Sequence, residues 1–327
     1  MGCTVTQESF DSLTSYWTDS SHRLKWGSVF VLPPWLEVWW QTFQPGSRLC
    51  LSAVRQEAEI IGIAPLHVKE GKAAFIGSAD VCDYLDFIIA PGQEEGFFNA
   101  LLDDLLKQDI NQLNLDSLRP DSTALVYLVE IARRRGYLVQ TAQEDISLTM
   151  ELPPTWEDYL ASLAKKQRHE VRRKLRRLQE ADNVRYDYLR VEPPGVARLT
   201  DTFLDIFSRS RQYKADFMTE RMAGFFHSLA LAMAGAGILR YGVLELDAIP
   251  VAMIMAFDYS ETMYLYNSAF LPGYDSLSVG LLSKILGIQE SINAGLKHWD
   301  FLKGTEDYKY QLGGHEIPLF NCQITFR

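Results

Sequence analysis

The chain has 327 residues, 47 % hydrophobic and 12 % aromatic, enough for two domains with buried cores and too apolar for a disordered chain. A formal charge of −10 argues against a general nucleic-acid coat protein. Four scattered cysteines with no Cys-x-x-Cys pair, no basic region followed by an apolar run at the N-terminus, and no apolar run near the roughly 18 residues of a membrane helix lead us to expect a soluble cytoplasmic protein with free thiols.

Residues 35–43 (WLEVWWQTF) read as a short helix begun after Pro33 and Pro34. Residues 47–55 and 59–68 read as a hairpin, and 83–90 (DYLDFIIA) as a strand broken by Pro91-Gly92. Phe97, Leu101, Leu102 and Leu105 share one face of a helix over 94–106. A strand over 112–116, a helix over 123–135 and a pair of strands from Gly136 through Met150 follow.

Leu152-Pro153-Pro154 marks a domain boundary, dividing the chain into 1–151 and 152–327. Thr155 caps a long helix, with Asp158 in the capping-box position and Leu160, Leu163, Val171, Leu175 and Leu178 along its apolar stripe. Next come a strand over 184–191, helices over 195–211 and 219–234, and strands over 238–246, 250–258 and 262–270. A helix over 278–294, a strand over 297–302, a short helix over 306–312 and a strand over 317–326 complete the chain. The halves echo each other: Tyr84-Leu85 leads to Pro91-Gly92, an apolar helix and a strand, as Tyr264-Leu265 leads to Pro272-Gly273, an apolar helix and a strand. The offset of 180 to 181 residues points to an internal duplication of one α/β unit.

The junction 270–282, FLPGYDSLSVGLL, passes from strand to helix through small residues. A helix N-terminus offers unpaired N–H groups and a partial positive charge, which suit a phosphate. Ser276, Ser278, Val279, Gly280 and Leu281 are the candidate cradle, and an ordinary Ser-capped turn is the alternative. Lys165 to Arg177 holds eight Lys or Arg and one Glu, a local +7. Lys165, Arg168, Arg172 and Arg176 form one stripe of that helix, either an anion-binding face or a solvated one.

The meander, the junction, the helix and the final Gly313-Gly314 resemble the core of the GNAT acetyltransferases. There the loop reads Arg/Gln-x-x-Gly-x-Gly/Ala and holds the pyrophosphate of coenzyme A; here Ser278 stands at the first glycine and Asp275 at the basic position. The segments 35–43, 83–86 and 300–309 (DFLKGTEDYK), with the basic helix, resemble the GNAT-like group of BioF-type and CelD-like acetyltransferases related to the FemAB peptidyl transferases. That resemblance implies an α/β fold of two tandem GNAT-like lobes, with mixed, mostly antiparallel sheets flanked by helices. It implies acetyl-CoA or another acyl-CoA as co-substrate and a small-molecule or cell-envelope acceptor.

The resemblance also places roles on residues. Backbone N–H groups of Tyr266, Asn267, Ser268 and Ala269 would face the oxyanion. Tyr308 would donate a proton to the leaving thiolate, or pack as a core aromatic. Lys309, beside Lys303, would bind an anionic acceptor or stabilise charge, or be a surface lysine. Asp300, at a strand end, would orient or deprotonate the acceptor amine, or cap the next turn. Arg168 and Arg172 would meet phosphates. The N-terminal counterpart loop, 90–96, carries Glu94 and Glu95 where phosphates would sit, so that lobe is expected to shape the acceptor site through Asp83, Tyr84 and Asp86.

Six histidines show no metal-ligand spacing, and no Gly-x-Ser-x-Gly elbow is present, so neither a metal site nor a serine hydrolase is expected. Three functions follow: an acyltransferase acting on an amine or hydroxyl, an aminoacyl transferase using aminoacyl-tRNA, and a non-catalytic binding module.

Overall fold

In the computed structural model, which describes residues 2–326, the chain opens with strand β1 (Cys3–Gln7) and helix α1 (Phe10–Thr18). Ser9 caps α1 by accepting the Ser12 amide. Helix α2 (Pro33–Phe43), strands β2 (Arg48–Gln56), β3 (Glu59–Lys69), β4 (Lys72–Phe75) and β5 (Ile88–Ile89), helix α3 (Glu94–Lys107) and strand β6 (Gln112–Leu118) follow. A π-helical turn, Ala124–Leu128, runs into α4 (Val129–Arg134), and β7 spans Leu138–Glu151.

Helices α5 (Trp156–Ser162) and α6 (Lys165–Gln179) precede β8 (Val184–Arg190). Helices α7 (Pro193–Ser210), α8 (Gln212–Phe217) and α9 (Glu220–Gly235) come next, then β9 (Leu239–Leu246), β10 (Ile249–Tyr259) and β11 (Thr262–Phe270). The chain closes with α10 (Val279–Asn293), β12 (His298–Lys303), α11 (Asp307–Gln311) and β13 (His315–Thr325).

The residues up to Ile146, with those from Ile317 onward, form one compact unit, and Ser147–Glu316 form a second. In the first, β1, β2, β3 and β4 make an antiparallel meander. The chain crosses over through α3, and β6 then pairs parallel to β4 over three residues, Lys72↔Gln112 to Ala74↔Asn114. Strand β13 adds antiparallel to β6. Phe97, Phe98, Leu101, Leu102 and Leu105 bury the inner face of α3.

The second unit repeats this plan. Strands β8, β9, β10 and β11 are an antiparallel meander, α10 is the crossover, and β12 runs parallel to β11 over three residues, Thr262↔His298 to Tyr264↔Asp300. The end of β7 adds antiparallel to β12. The fold is thus a tandem of two α/β units with mixed, mostly antiparallel sheets, as expected.

Several details differ from expectation. The counterpart of β11 is β4, not 83–90; most of that segment is irregular, with only Ile88–Ile89 paired, to β3. Residues 138–151 form one strand rather than two, because the far end of β7 finds a ladder partner in β12. The last strand was grouped with the C-terminal domain but lies in the first unit, paired with β6. The long helix after Thr155 is broken: Leu163 and Ala164 are extended, which turns Leu163 into the core against Gly313. The Thr155 cap forms, with its Oγ1 accepting the Asp158 amide at 3.1 Å.

Candidate active site

In the second unit β11 and β12 part. Their parallel ladder stops at Tyr264↔Asp300, while β11 continues beside β10 to Phe270. A bulge sets Met255 opposite Asn267 and Ala256 opposite Leu265, leaving Tyr266 as the extra residue. Its ring packs on Phe226 and Phe257.

Beyond the bulge the ladder alternates. Leu271 donates to the Val251 carbonyl at 2.8 Å, so Ala269 and Asn267 also turn their amides toward β10. Those two were expected to face an oxyanion; they are engaged in the sheet instead. Phe270 and Ser268 point the other way. The Phe270 amide donates to Ser210 Oγ at 2.8 Å, and the Ser268 carbonyl accepts the Lys214 ammonium. The Ser268 amide therefore faces the open edge of β11.

At the junction a 3-10 turn, Asp275–Leu277, delivers Ser278 in the left-handed region at φ 57°. The amides of Leu277 and Ser278 donate to the carbonyls of Tyr274 and Asp275, and those of Leu281 and Leu282 to Ser278, all at 3.0 Å. Leu281 is thus removed from the expected cradle. The amides of Val279 and Gly280 meet no protein acceptor among the described residues. Gly280 is required by packing: a Cβ there would lie 2.8 Å from the Phe270 ring, so only glycine lets α10 start this close to β11.

The basic helix does reach this loop, but through a residue the stripe did not contain. Lys174 Nζ donates to Ser278 Oγ at 2.6 Å and pairs with Glu170 at 3.2 Å. A hydrogen bond from Arg173 holds the Glu170 carboxyl at about 2. Arg168 donates to the Ala161 carbonyl and Arg172 pairs with exposed Glu157, so neither meets the loop. Ser276 is exposed.

Three more lysines gather at the parted strands. Lys309 is 2 % exposed, and its ammonium donates to the carbonyls of Leu302, Lys303 and Gly304 and pairs with Glu306 at 2.9 Å. Three donors facing four acceptors leave none for an acceptor molecule, so Lys309 clamps a turn instead. Gly304 in that turn has φ 103°, and a Cβ there would press on the Glu306 carboxylate. Lys303 contributes its carbonyl to the clamp. Asp300 Oδ1 accepts the Leu302 amide at 2.8 Å and so holds the bulge of β12, a bond that fits the capping alternative.

Lys284 and Lys214 were absent from the expected site. Lys284, on α10, is 6 % exposed. Its ammonium donates to the Gly280 carbonyl at 2.6 Å and sits 4.9 Å from the centre of the Tyr308 ring. Burial, aided by the charge of Lys214, brings it down to about 7. Half-buried Lys214, on α8, lies over the Phe207 ring at 4.5 Å; burial and Arg211 lower it to about 8. Burial also holds the Tyr308 hydroxyl protonated far above neutrality. One signal in the sequence marks Lys284: it interrupts the apolar run Leu281–Ile288 on the stripe shared by Leu281 and Ile288.

The second unit also has a cleft of about 840 Å³ lined by Tyr159, Gln167, Tyr310, Gln311 and other residues; its charged lining, Glu151 and His315, is exposed. It lacks a buried charge, so the lysine cluster is the stronger chemical candidate. Among the described residues no group of three or more His, Cys, Asp or Glu is placed to hold a metal, and no helix is long and apolar enough to cross a membrane.

In the first unit, Tyr84, Asp86, Lys25 and Arg119 line a pocket of about 110 Å³. The Arg119 guanidinium lies 5.0 Å from the centre of the Tyr84 ring. Asp83 lies two residues after Val81, beside this segment but outside the pocket lining. Asp86 accepts the amides of Thr123 and Ala124 and the Thr123 hydroxyl, which caps the following helical turn. Burial nonetheless raises its carboxyl to about 6.

A raised carboxyl favours the protonated fold, so its stabilisation is complete below about pH 4 and is lost as the pH climbs through 6. Asp86→Asn removes the charge and keeps one acceptor oxygen for the cap, giving up the second at a cost that does not vary with pH. It is expected to gain on the parent by about 2–3 kcal/mol between pH 4 and pH 7. Urea unfolding of both proteins across that window checks it; a constant difference refutes it.

The comparisons add a domain match. Residues 165–310 match the model of the acetyltransferase (GNAT) domain. The second unit carries a GNAT domain. The fold of the whole chain is shared with FemX, at 12 % identity, TM-score 0.63, over 97 % of this chain and 96 % of that one. It is shared also with a conserved protein of unknown function from Bacteroides thetaiotaomicron (12 %, 0.58, 98 % and 99 %). A third likeness is to a C-terminal domain, named for a lysylphosphatidylglycerol synthetase, from Agrobacterium fabrum (10 %, 0.54, 80 % and 80 %). No curated protein matches the chain. The resemblance to GNAT-like, FemAB-related proteins thus holds for the domain and the fold. The GNAT domain contains the parted strands, the α10 N-terminus and Lys174, Lys214, Lys284, Lys303 and Lys309.

Proposed function

We propose that the GNAT domain transfers an acyl group from an acyl-coenzyme A to an amine. The parting of β11 and β12 carries this reading, because it opens the Ser268 amide on one side while α10 offers the amides of Val279 and Gly280 on the other. The helix start takes the diphosphate, assisted by the nearby Lys174 charge, and the Ser268 amide takes the developing oxyanion. The amine nitrogen attacks the thioester carbon, the C–S bond breaks, and the proton released by the amine ends on the thiolate. Tyr308, protonated at any working pH, is the hydrogen-bond donor for that sulfur. The names of the neighbours FemX and lysylphosphatidylglycerol synthetase favour a cell-envelope acceptor.

A second reading, transfer from aminoacyl-tRNA, is favoured by the exposed basic face of α6, where Lys165, Lys166, Arg176 and Arg177 stay in solvent. Thermal unfolding separates the two. Acetyl-CoA at a hundred times its Kd is expected to add about 2.7 kcal/mol, a rise of several degrees in Tm. A rise with aminoacyl-tRNA alone selects the second reading. Stability unchanged by either ligand refutes both and leaves a binding module.

A further inference from the structure

The pocket of the first unit is also lined by Lys25, Ser28 and Ser122, with Val31, Leu85 and Phe87 as its apolar wall. Most of its polar groups are already engaged. Both oxygens of Asp86 are taken, by the Thr123 amide and hydroxyl at 2.7 Å and by the Ala124 amide at 3.3 Å. Arg119 Nε donates to exposed Asp121 at 3.1 Å, and Ser122 Oγ accepts the Leu125 amide at 3.3 Å. Two groups remain. The Lys25 ammonium and the Ser28 hydroxyl have no hydrogen-bond or ion-pair partner among the described residues. Ser28 is only 7 % exposed, and a polar group so far from bulk water ordinarily has an acceptor in the protein. The segment that carries both is fixed: the Lys25 amide donates to the Ile89 carbonyl at 3.2 Å, and Ser28 leads into the buried turn Val29–Val31.

We infer that the first unit binds a small organic carboxylate in this pocket, with its oxygens on Lys25 Nζ and Ser28 Oγ and its apolar body against Val31, Leu85 and Phe87. Three features select that class. An ammonium only donates and a serine hydroxyl can donate, so the complement of the two is an acceptor. One uncommitted cation balances one negative charge, and the carboxyls of Asp86 and Asp121 in the same lining disfavour the second charge of a phosphate. The volume of about 110 Å³ is well below the roughly 300–1,000 Å³ of a drug-sized site, which fits a short acid, and the apolar wall rewards a hydrocarbon body that an inorganic anion lacks. The acyl-transfer reading concerns the second unit, and this site stands without it.

Ligand-observed NMR on the full chain tests the site with isobutyrate and its uncharged amide, isobutyramide, at pH 7 and matched ionic strength. Isobutyrate is expected to bind saturably, and isobutyramide about tenfold more weakly or not at all. Lys25→Met is expected to weaken isobutyrate about tenfold and Ser28→Ala about threefold, because the charge-assisted bond is the stronger. Lys25 is exposed, so Lys25→Met is expected to unfold in urea as the parent does. No saturable binding of isobutyrate overturns the inference. Equal binding of the amide does so too, as does an affinity unchanged in Lys25→Met, whatever Ser28→Ala shows. Inorganic phosphate at equal concentration is expected not to displace isobutyrate; displacement makes the pocket a phosphate seat and overturns the carboxylate assignment.

Discussion

A Lys284→Met variant is expected to be more stable than the parent at pH 7 and to lose its thiol-releasing activity. The folded chain holds this amine at about 7, against an ordinary value of 10.5. A lowered amine means that folding disfavours the charged form. Below about pH 7 both folded and unfolded chains are protonated, and the fold bears the full cost of the buried charge. From pH 7 to 10.5 the unfolded chain binds the extra proton, so parent stability rises with pH and the cost disappears.

Methionine fills a similar volume without the charge. It forgoes the hydrogen bond to Gly280 and the contact with the Tyr308 ring, together about 1–2 kcal/mol. The relieved desolvation is larger, so a net gain of about 2–4 kcal/mol at pH 7 is expected, shrinking toward pH 10. Urea unfolding at pH 6, 7.5 and 9.5 reads the gain, and a variant less stable than the parent at pH 7 contradicts it. Release of thiol from acetyl-CoA, expected to fall about 100-fold in the variant, tests whether Lys284 serves the proposed transfer.

Lys309→Met is expected to act in the opposite direction. This lysine is as buried as Lys284, yet its ammonium is surrounded by three carbonyls and the Glu306 carboxylate. Its removal leaves the carbonyls of Leu302, Lys303 and Gly304 without their donor at a turn held open by a positive φ at Gly304. Charge-assisted bonds of this kind are worth about 1.5–3 kcal/mol each, but water reaching Gly304 and exposed Glu306 recovers part, so a loss of about 3 kcal/mol is expected. Equilibrium unfolding at pH 7 measures it, and a loss under about 1 kcal/mol refutes the clamp. Lys309→Arg is expected not to rescue stability, because a planar guanidinium does not fit a site built for a compact ammonium.

Much of the fold was legible because it rests on local signals. Thr155 and Asp158 announce a helix start, Pro33 and Pro34 another, and the apolar spacing of Phe97, Leu101 and Leu105 gives a buried face. The signals failed where partners elsewhere decide. Strand β1 is short and largely exposed, with too little alternation to show itself, and it exists because β2 pairs with it. Strand β7 runs unbroken from Leu138 to Glu151, where a pair of strands was expected, because its far end finds a neighbour in β12.

The site divides in the same way. Ser278, Val279 and Gly280 could be placed at a helix start from composition alone, and Tyr308 and Lys309 from their motif. Which amides stay free depends on the phase of the β10–β11 ladder, and a bulge at Tyr266 sets that phase. Which lysine is clamped by several acceptors and which meets a single carbonyl depends on the groups that the fold turns toward it.

Residue order alone was enough to show two similar α/β halves and a helix beginning at small residues in the second, since caps, apolar periodicity and glycine placement act over a few residues. It took the folded chain to turn the Ser268 amide away from β10, to bring Lys174 to Ser278 and to set Lys214 and Lys284 each against a backbone carbonyl. Burial and hydrogen-bond direction arise from contacts between residues as far as 104 positions apart, and no local pattern records them.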